Sequence, residues 1–283
     1  MTLESLINPF KAVEKPWYMF FVGFVYATIA VFLSAIIFRN HSSLVMVFLT
    51  VIATVPLMYK TMKMEEALDV RIKDELKLLK RHAKVIRFML FLFFGFVVAY
   101  SFWYLVLPAE AAQNLFATQS ETIKTINSDV VGDVVNPIAI FMQIFLNNFK
   151  VLLFCLLFAF FYGAGAIFIL TWNASVIATA IGDFVKLNLG TGVVMASPAG
   201  AGNYIQAFSL GLLRYSLHGI PEIAAYFVGG LAGGIISVAM INRDLETNNF
   251  NRIMMDSVNL SLIAVLILVV AALIEVFITP VLF

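Results

Sequence analysis

The chain has 283 residues, of which 62% are hydrophobic and only 12% charged, with a formal net charge of +1. A soluble domain is nearer half apolar and a quarter charged, so this balance excludes an ordinary water-soluble fold and points to lipid as the solvent. So small a net charge gives no general attraction to nucleic acid or to acidic substrates, and none is expected as a partner.

A helix that crosses about 30 Å of hydrocarbon needs roughly 20 apolar residues. The first such run is 17–38, which follows a stretch of mixed charge holding Glu4, Lys11, Glu14 and Lys15. It is too long for the core of a signal peptide and is expected to stay as the first span. A shorter run, 42–59, comes after so brief a loop that the two should form an antiparallel hairpin. Further runs occupy 88–107, 151–170, 223–242 and 257–279. Between 172 and 217 the pieces 173–185 and 202–213 are apolar but short, separated by Gly190, Gly192, Pro198 and Gly200. Those residues break a continuous helix. One full crossing plus an interfacial or re-entrant piece is expected there, with two half-helices meeting inside the membrane as the alternative. The fold class is therefore all-α, a polytopic helical transmembrane bundle of about six to seven spans with one short or re-entrant segment, forming a single transmembrane domain over 1–283.

The segment 60–87 carries half of the chain's 18 basic residues and is expected to face the cytoplasm. The N-terminus then lies on the same side, and 108–148, with Glu110, Glu121, Asp129 and Asp133, forms an external loop. Arg243 and Arg252 place the last loop inside, which gives seven spans and an external C-terminus, or six with the C-terminus inside. These features describe a multi-pass protein of the cell membrane, with the lipid bilayer as its first partner.

Leu68, Ile72, Leu76 and Leu79 recur at helical spacing in 60–87, with Asp69 and Lys73, and Asp74 and Lys77, as spaced opposite charges. This is a docking helix for a protein partner, a strip on anionic headgroups, or a solvated extension of its flanking spans. The stretch His218-Gly219-Ile220-Pro221-Glu222 sets an imidazole and a carboxylate at the mouth of a span. Pro221 suits the first turn of a helix and Glu222 the positive end of its dipole, a structural cap. An ionisable residue inside a bundle is equally a candidate for function. Glu275, in the last span, faces either the interior, with His218 or Arg214 as partner, or the headgroups.

Gly229-Gly230-Leu231-Ala232-Gly233-Gly234 holds two overlapping small-residue patterns that let backbones approach closely, against another helix of this chain or a second protomer in a homo-oligomer. Asn147-Asn148 and Trp172-Asn173 suit the start and the stop of the fourth span. Cys155, the single cysteine, lies in an apolar run and reads as packing.

No catalytic template fits. Glu65-Glu66 followed by Arg71 is similar to the paired-glutamate signature of intramembrane CAAX-type proteases, but the spacing differs, and His41, His82 and His218 are spread far apart. Neither a metal site nor a cofactor is expected, and the chain is read as no enzyme.

Asn147-Asn148, Tyr162-Gly163-Ala164-Gly165, Trp172-Asn173, His218-Gly219-Ile220-Pro221-Glu222 and Glu275 together resemble the stage II sporulation protein M family, in particular its archaeal branch. The resemblance extends over most of the chain, and Gly219 and Pro221 belong to its most specific element. It implies a membrane protein that works beside peptidoglycan-degrading proteins during engulfment in spore formers, without being the hydrolase. The sequence thus leads to a non-enzymatic scaffold for an envelope or membrane-remodelling assembly, with 60–87 as its cytoplasmic handle. A transporter or channel with His218, Glu222, Glu275 and Arg214 around a wet cavity is the alternative.

Overall fold

In the computed structural model, residues 13–38, 41–71, 74–131, 136–159, 164–190, 200–241 and 248–282 are described. They build α1 (Tyr18–Ile37), α2 (Ser42–Arg71), α3 (Glu75–Val106), α4 (Ala109–Leu115), α5 (Ala117–Val131), α6 (Pro137–Ala159), α7 (Ala164–Gly190), α8 (Gly200–Ile241) and α9 (Asn248–Leu273). A π-helical turn, Ile274–Ile278, and the short α10, Thr279–Leu282, continue α9. Seven of these helices are long and apolar enough to cross a membrane, and the described residues contain no strand. The molecule is an all-α polytopic bundle.

The boundaries depart from expectation in several places: α2 runs on to Arg71, α8 is continuous from Gly200 through Pro221 to Ile241, and one expected span is divided. The run 151–170 is not one helix, because α6 ends at Ala159 and α7 starts at Ala164, and 160–163 with Tyr162-Gly163 lies outside the described residues. Helix α6 begins at Pro137, inside the stretch expected to be a loop, and Asn136 accepts the Ile138 N–H at 3.0 Å. Asparagine ahead of proline is a strong start signal, since Asn satisfies an orphan donor and Pro has none to lose. The polar Gln143, Asn147, Asn148 and Lys150 had masked it. Asn147 and Asn148 therefore sit inside α6 and Asn173 inside α7, where its side chain donates to the Ile169 carbonyl at 3.0 Å. Helix α7 supplies the crossing expected after residue 172, and the extra apolar piece is the leading part of α8.

The longest helix, α8, is also the axis. Its most apolar stretch is 89% buried, against 17% for α6 and 22% for the last helix, so those two occupy the periphery. At about 1.5 Å per residue its 42 residues run roughly 63 Å, twice the hydrocarbon thickness. The bundle packs through small residues. Gly23 of α1 lies on Gly95 of α3 so closely that a Cβ at Gly23 would strike the Leu92 carbonyl, and one at Gly95 the Phe20 carbonyl. This close approach makes α3, more than α2, the main neighbour of α1.

Helices α4 and α5 fold over one end of the bundle. Gln119 is fully buried there, accepting from Ser43 at 2.7 Å and donating to Ser175 at 3.1 Å, so that it ties α2 to α7. The other end, where α2 and α3 meet, carries the basic side chains Lys63, Lys77, Lys80, Lys84 and Arg87, and is called the basic end below.

Candidate functional site

The sequence directed attention to the middle of α8. Pro221 is inside this helix, not at its start, so Glu222 cannot be the cap it was expected to be. Its carboxylate instead accepts a hydrogen bond from Tyr226, one turn on, at 2.7 Å, and Tyr226 is itself buried. Glu275 lies on the π turn, near enough for its carboxylate to act on Glu222. Two carboxylates thus face the same region.

His218 pairs with neither glutamate. Its Nδ1 lies 3.4 Å from Thr279 Oγ1, and the Thr279 hydroxyl donates to the Ile274 carbonyl at 3.2 Å. Since the hydroxyl proton is spent on that carbonyl, the His218 Nδ1–H is the donor to Thr279. The Thr279 backbone N–H also closes on Ile274, which creates the π turn. Such widened turns recur at functional sites. The structure therefore brings His218, Glu222 and Glu275 to one side of α8, while the expected partnership of Glu275 with His218 or Arg214 is not formed. Arg214, one turn before His218, packs instead against the Phe184 ring of α7, 5.8 Å from its centroid.

The glycines of α8 are accounted for within the chain. A Cβ at Gly229 would strike Leu152 and one at Gly233 the Leu156 carbonyl, both on α6. Gly230 faces Ala166 of α7 at 3.4 Å, and Gly234 faces Met62 of α2 at 2.8 Å. Cys155 of α6 is fully buried in this packing. Gly219, by contrast, has nothing within 4 Å of the place a Cβ would take.

A second polar group, at the basic end, was not expected. His82 of α3 is 2% exposed and Glu65 of α2 fully buried. His82 Nδ1 lies 3.1 Å from Glu65 Oε2, and Nε2 lies 3.1 Å from Asp256 Oδ2 of α9. Arg81 adds a bond from Nε to the other Glu65 oxygen at 3.2 Å. With a carboxylate oxygen on each nitrogen, the geometry suits an imidazole that carries both protons. Three helices are joined by this network. Each of its members sits in a run of charge that reads from sequence as a solvated face, and His82 and Asp256 are 174 residues apart, so only the fold could reveal it.

Beyond His82 the α2–α3 arm is amphipathic. Leu78 is buried, but Leu76 and Leu79 are 71% and 45% exposed among Lys77, Lys80 and Lys84. Leu68 is partly buried against the core, and Ile72 and the Asp69–Lys73 pair lie outside what is described. Asp74 opens α3, accepting the Lys77 N–H at 3.2 Å while Lys77 Nζ lies 3.3 Å from its carboxylate. The backbone bond first, and then the ammonium, hold the exposed Asp74 carboxyl below the usual aspartate range.

Among cavities lined by described residues, a groove of about 350 Å³ runs between α1 and α2. A small apolar one lies beside Gly219, and an open one of about 1070 Å³ lies under α5. His218, Glu222 and Glu275 line none of the three.

The model of the stage II sporulation protein M family matches residues 85–280, more than two thirds of the chain. Neither a curated protein nor a solved structure matches it. The match begins within α3, so the arm residues Glu65 and His82 precede it and Asp256 falls inside it.

Proposed function

The chain belongs to the stage II sporulation protein M family, and on that footing we propose that it is a non-enzymatic membrane scaffold whose α2–α3 arm docks a protein partner in the cytoplasm. One observation carries the reading: Leu76 and Leu79 stand exposed between lysines on an arm that the Glu65–His82–Asp256 network anchors to the bundle. Apolar side chains ringed by charge on a fixed support suit a protein contact better than a freely solvated loop. The burial of α8 supports the same reading, since it is the most buried span and its Glu222 and His218 are bonded to Tyr226 and to Thr279. The basic arm faces the cytoplasm in this proposal, on the Lys/Arg asymmetry.

Photo-crosslinking residues placed at Leu76 and Leu79 in cells should capture one discrete protein adduct, absent when placed at lipid-facing Leu262 or Leu266. Purified protein in proteoliposomes should conduct neither ions nor protons. A flux abolished by Glu222→Gln, with no adduct from the arm, would replace the scaffold by a transporter built on the Glu222–Glu275 pair.

A further inference from the structure

The open cavity of about 1070 Å³ lies at the end of the bundle opposite the basic arm, between the ends of α3 and α7, Arg214 and Tyr215 of α8, and the cover formed by α4 and α5. Arg214 lines it and is only partly exposed. Among the described residues no carboxylate is within 4.0 Å of its guanidinium, which packs against the Phe184 ring and lies near enough to His218 to act on it electrostatically. The acid on the same wall is already engaged, since Asp183 accepts from Tyr104 at 2.5 Å while Lys186 lies over the Tyr104 ring, 3.5 Å from its centroid. A half-buried guanidinium left with its planar fork of donors facing a cavity calls for an anion, and bidentate binding suits a phosphate best.

The rest of the wall limits the ligand further. Phe184 and Leu187 are apolar, and Leu187 is 68% exposed. Arg214 is eight residues from Glu222 along α8, about 12 Å toward its N-terminal end.

We infer that this cavity binds a phosphate ester through Arg214, with the apolar rim of Phe184 and Leu187 accommodating the chain of an amphiphile. Lys124 of α5 also lines the cavity, beside Glu121 of the same helix, so the charge on that side is balanced and Arg214 carries the recognition. The chemistry is the phosphate group, which a phospholipid headgroup or a soluble phosphate can each supply.

The test uses the full chain in a neutral detergent, with native mass spectrometry and a fluorescent phosphatidylglycerol as probes. Expected is one tightly held phosphatidylglycerol, weakened at least about tenfold in Arg214→Gln, as loss of a charge-assisted pair implies. Arg214→Lys should recover part of the affinity, because it restores the charge without the fork. Lys84→Gln, at the other end of the molecule, should bind as the wild type does, which separates the site from general attraction to anionic lipid. Diacylglycerol, which lacks the phosphate, should not compete. Competition by millimolar inorganic phosphate would assign the site to a soluble phosphate, and its failure to compete would assign it to the headgroup. Equal binding by wild type and a folded Arg214→Gln, its melting temperature unchanged, would overturn the proposal.

Discussion

The two polar groups use the same residue types and solve burial in opposite ways. At the basic end, His82 has a carboxylate on each ring nitrogen and Glu65 has a guanidinium on its second oxygen, so the charges neutralise one another. In the middle of α8, His218 meets a hydroxyl, Glu222 meets a phenol, and the two carboxylates have each other as neighbours with no cation bonded to them among the described residues. Depth explains the difference. Helix ends can draw partners from charged loops, whereas a span offers mostly neutral donors, and an unpaired charge in low dielectric is costly. The first arrangement therefore holds helices together, and the second leaves reactive groups that little in the fold requires to be charged.

The largest expected effect tests that contrast directly. His82→Ala should destabilise the protein by about 3 kcal/mol, since it leaves the buried Glu65 with Arg81 alone and frees Asp256. Detergent thermal unfolding reads the loss, and limited proteolysis should find new cleavage in the arm. His82→Ala and Asp256→Ala should be strongly non-additive, because both break one network. Additive, small changes would mean the network does not hold the arm.

A smaller effect is expected in the spans. Tyr226→Phe and Glu222→Gln should each shift stability by about 1 kcal/mol, the ordinary worth of one hydrogen bond. Glu275→Gln should be neutral or stabilising, because it removes a like charge from beside Glu222. His218→Gln should add to each of these without coupling, as its partner is Thr279. Strong coupling between His218 and either glutamate in a thermal-unfolding double-mutant cycle would show a shared charged site and erase the distinction drawn between the two groups.

How far the sequence could lead follows from which signals are local. The apolar runs and the glycine face of α8 are features of short stretches, and each has its counterpart in the fold except 151–170, which is divided between α6 and α7. His218, Glu222 and Glu275 were visible because an ionisable residue in an apolar run stands out. The start of α6 was hidden because polar residues diluted its apolar pattern, although Asn136-Pro137 marked it. Glu65 and His82 stood out in sequence only as part of a near-match to a protease signature and as one of three scattered histidines, and their meeting with Asp256 is a property of packing α3 against α2 and α9. Arg214 was named with His218, on which it acts electrostatically, but its packing against Phe184 of α7 and its place in the cavity wall were not legible.

The smallest effect concerns Asp74, at the turn of the arm, and sharpens the comparison by separating a cap from a lock. The Asp74 carboxylate accepts the Lys77 N–H and its carbonyl accepts the Leu78 N–H at 3.0 Å, so it organises the first turn of α3. Its carboxyl is held below the ordinary aspartate range, which fixes the sign of the pH effect. A group depressed in the folded state contributes stability above its unfolded value, near pH 4, and loses it as pH falls through the folded value. Asp74→Asn should keep the cap, since an amide oxygen serves as well, and should remove the acid dependence. Asp74→Ala should lose it. Hydrogen exchange in the peptide 75–81 should then quicken, as it should in the wild type below about pH 4. The following peptide, 82–92, should be unchanged, because His82 is fixed by Glu65 and Asp256 and not by the turn. If exchange in Asp74→Ala instead quickened through both peptides, the cap would be what orders the arm, and the network at His82 would be following the helix rather than holding it.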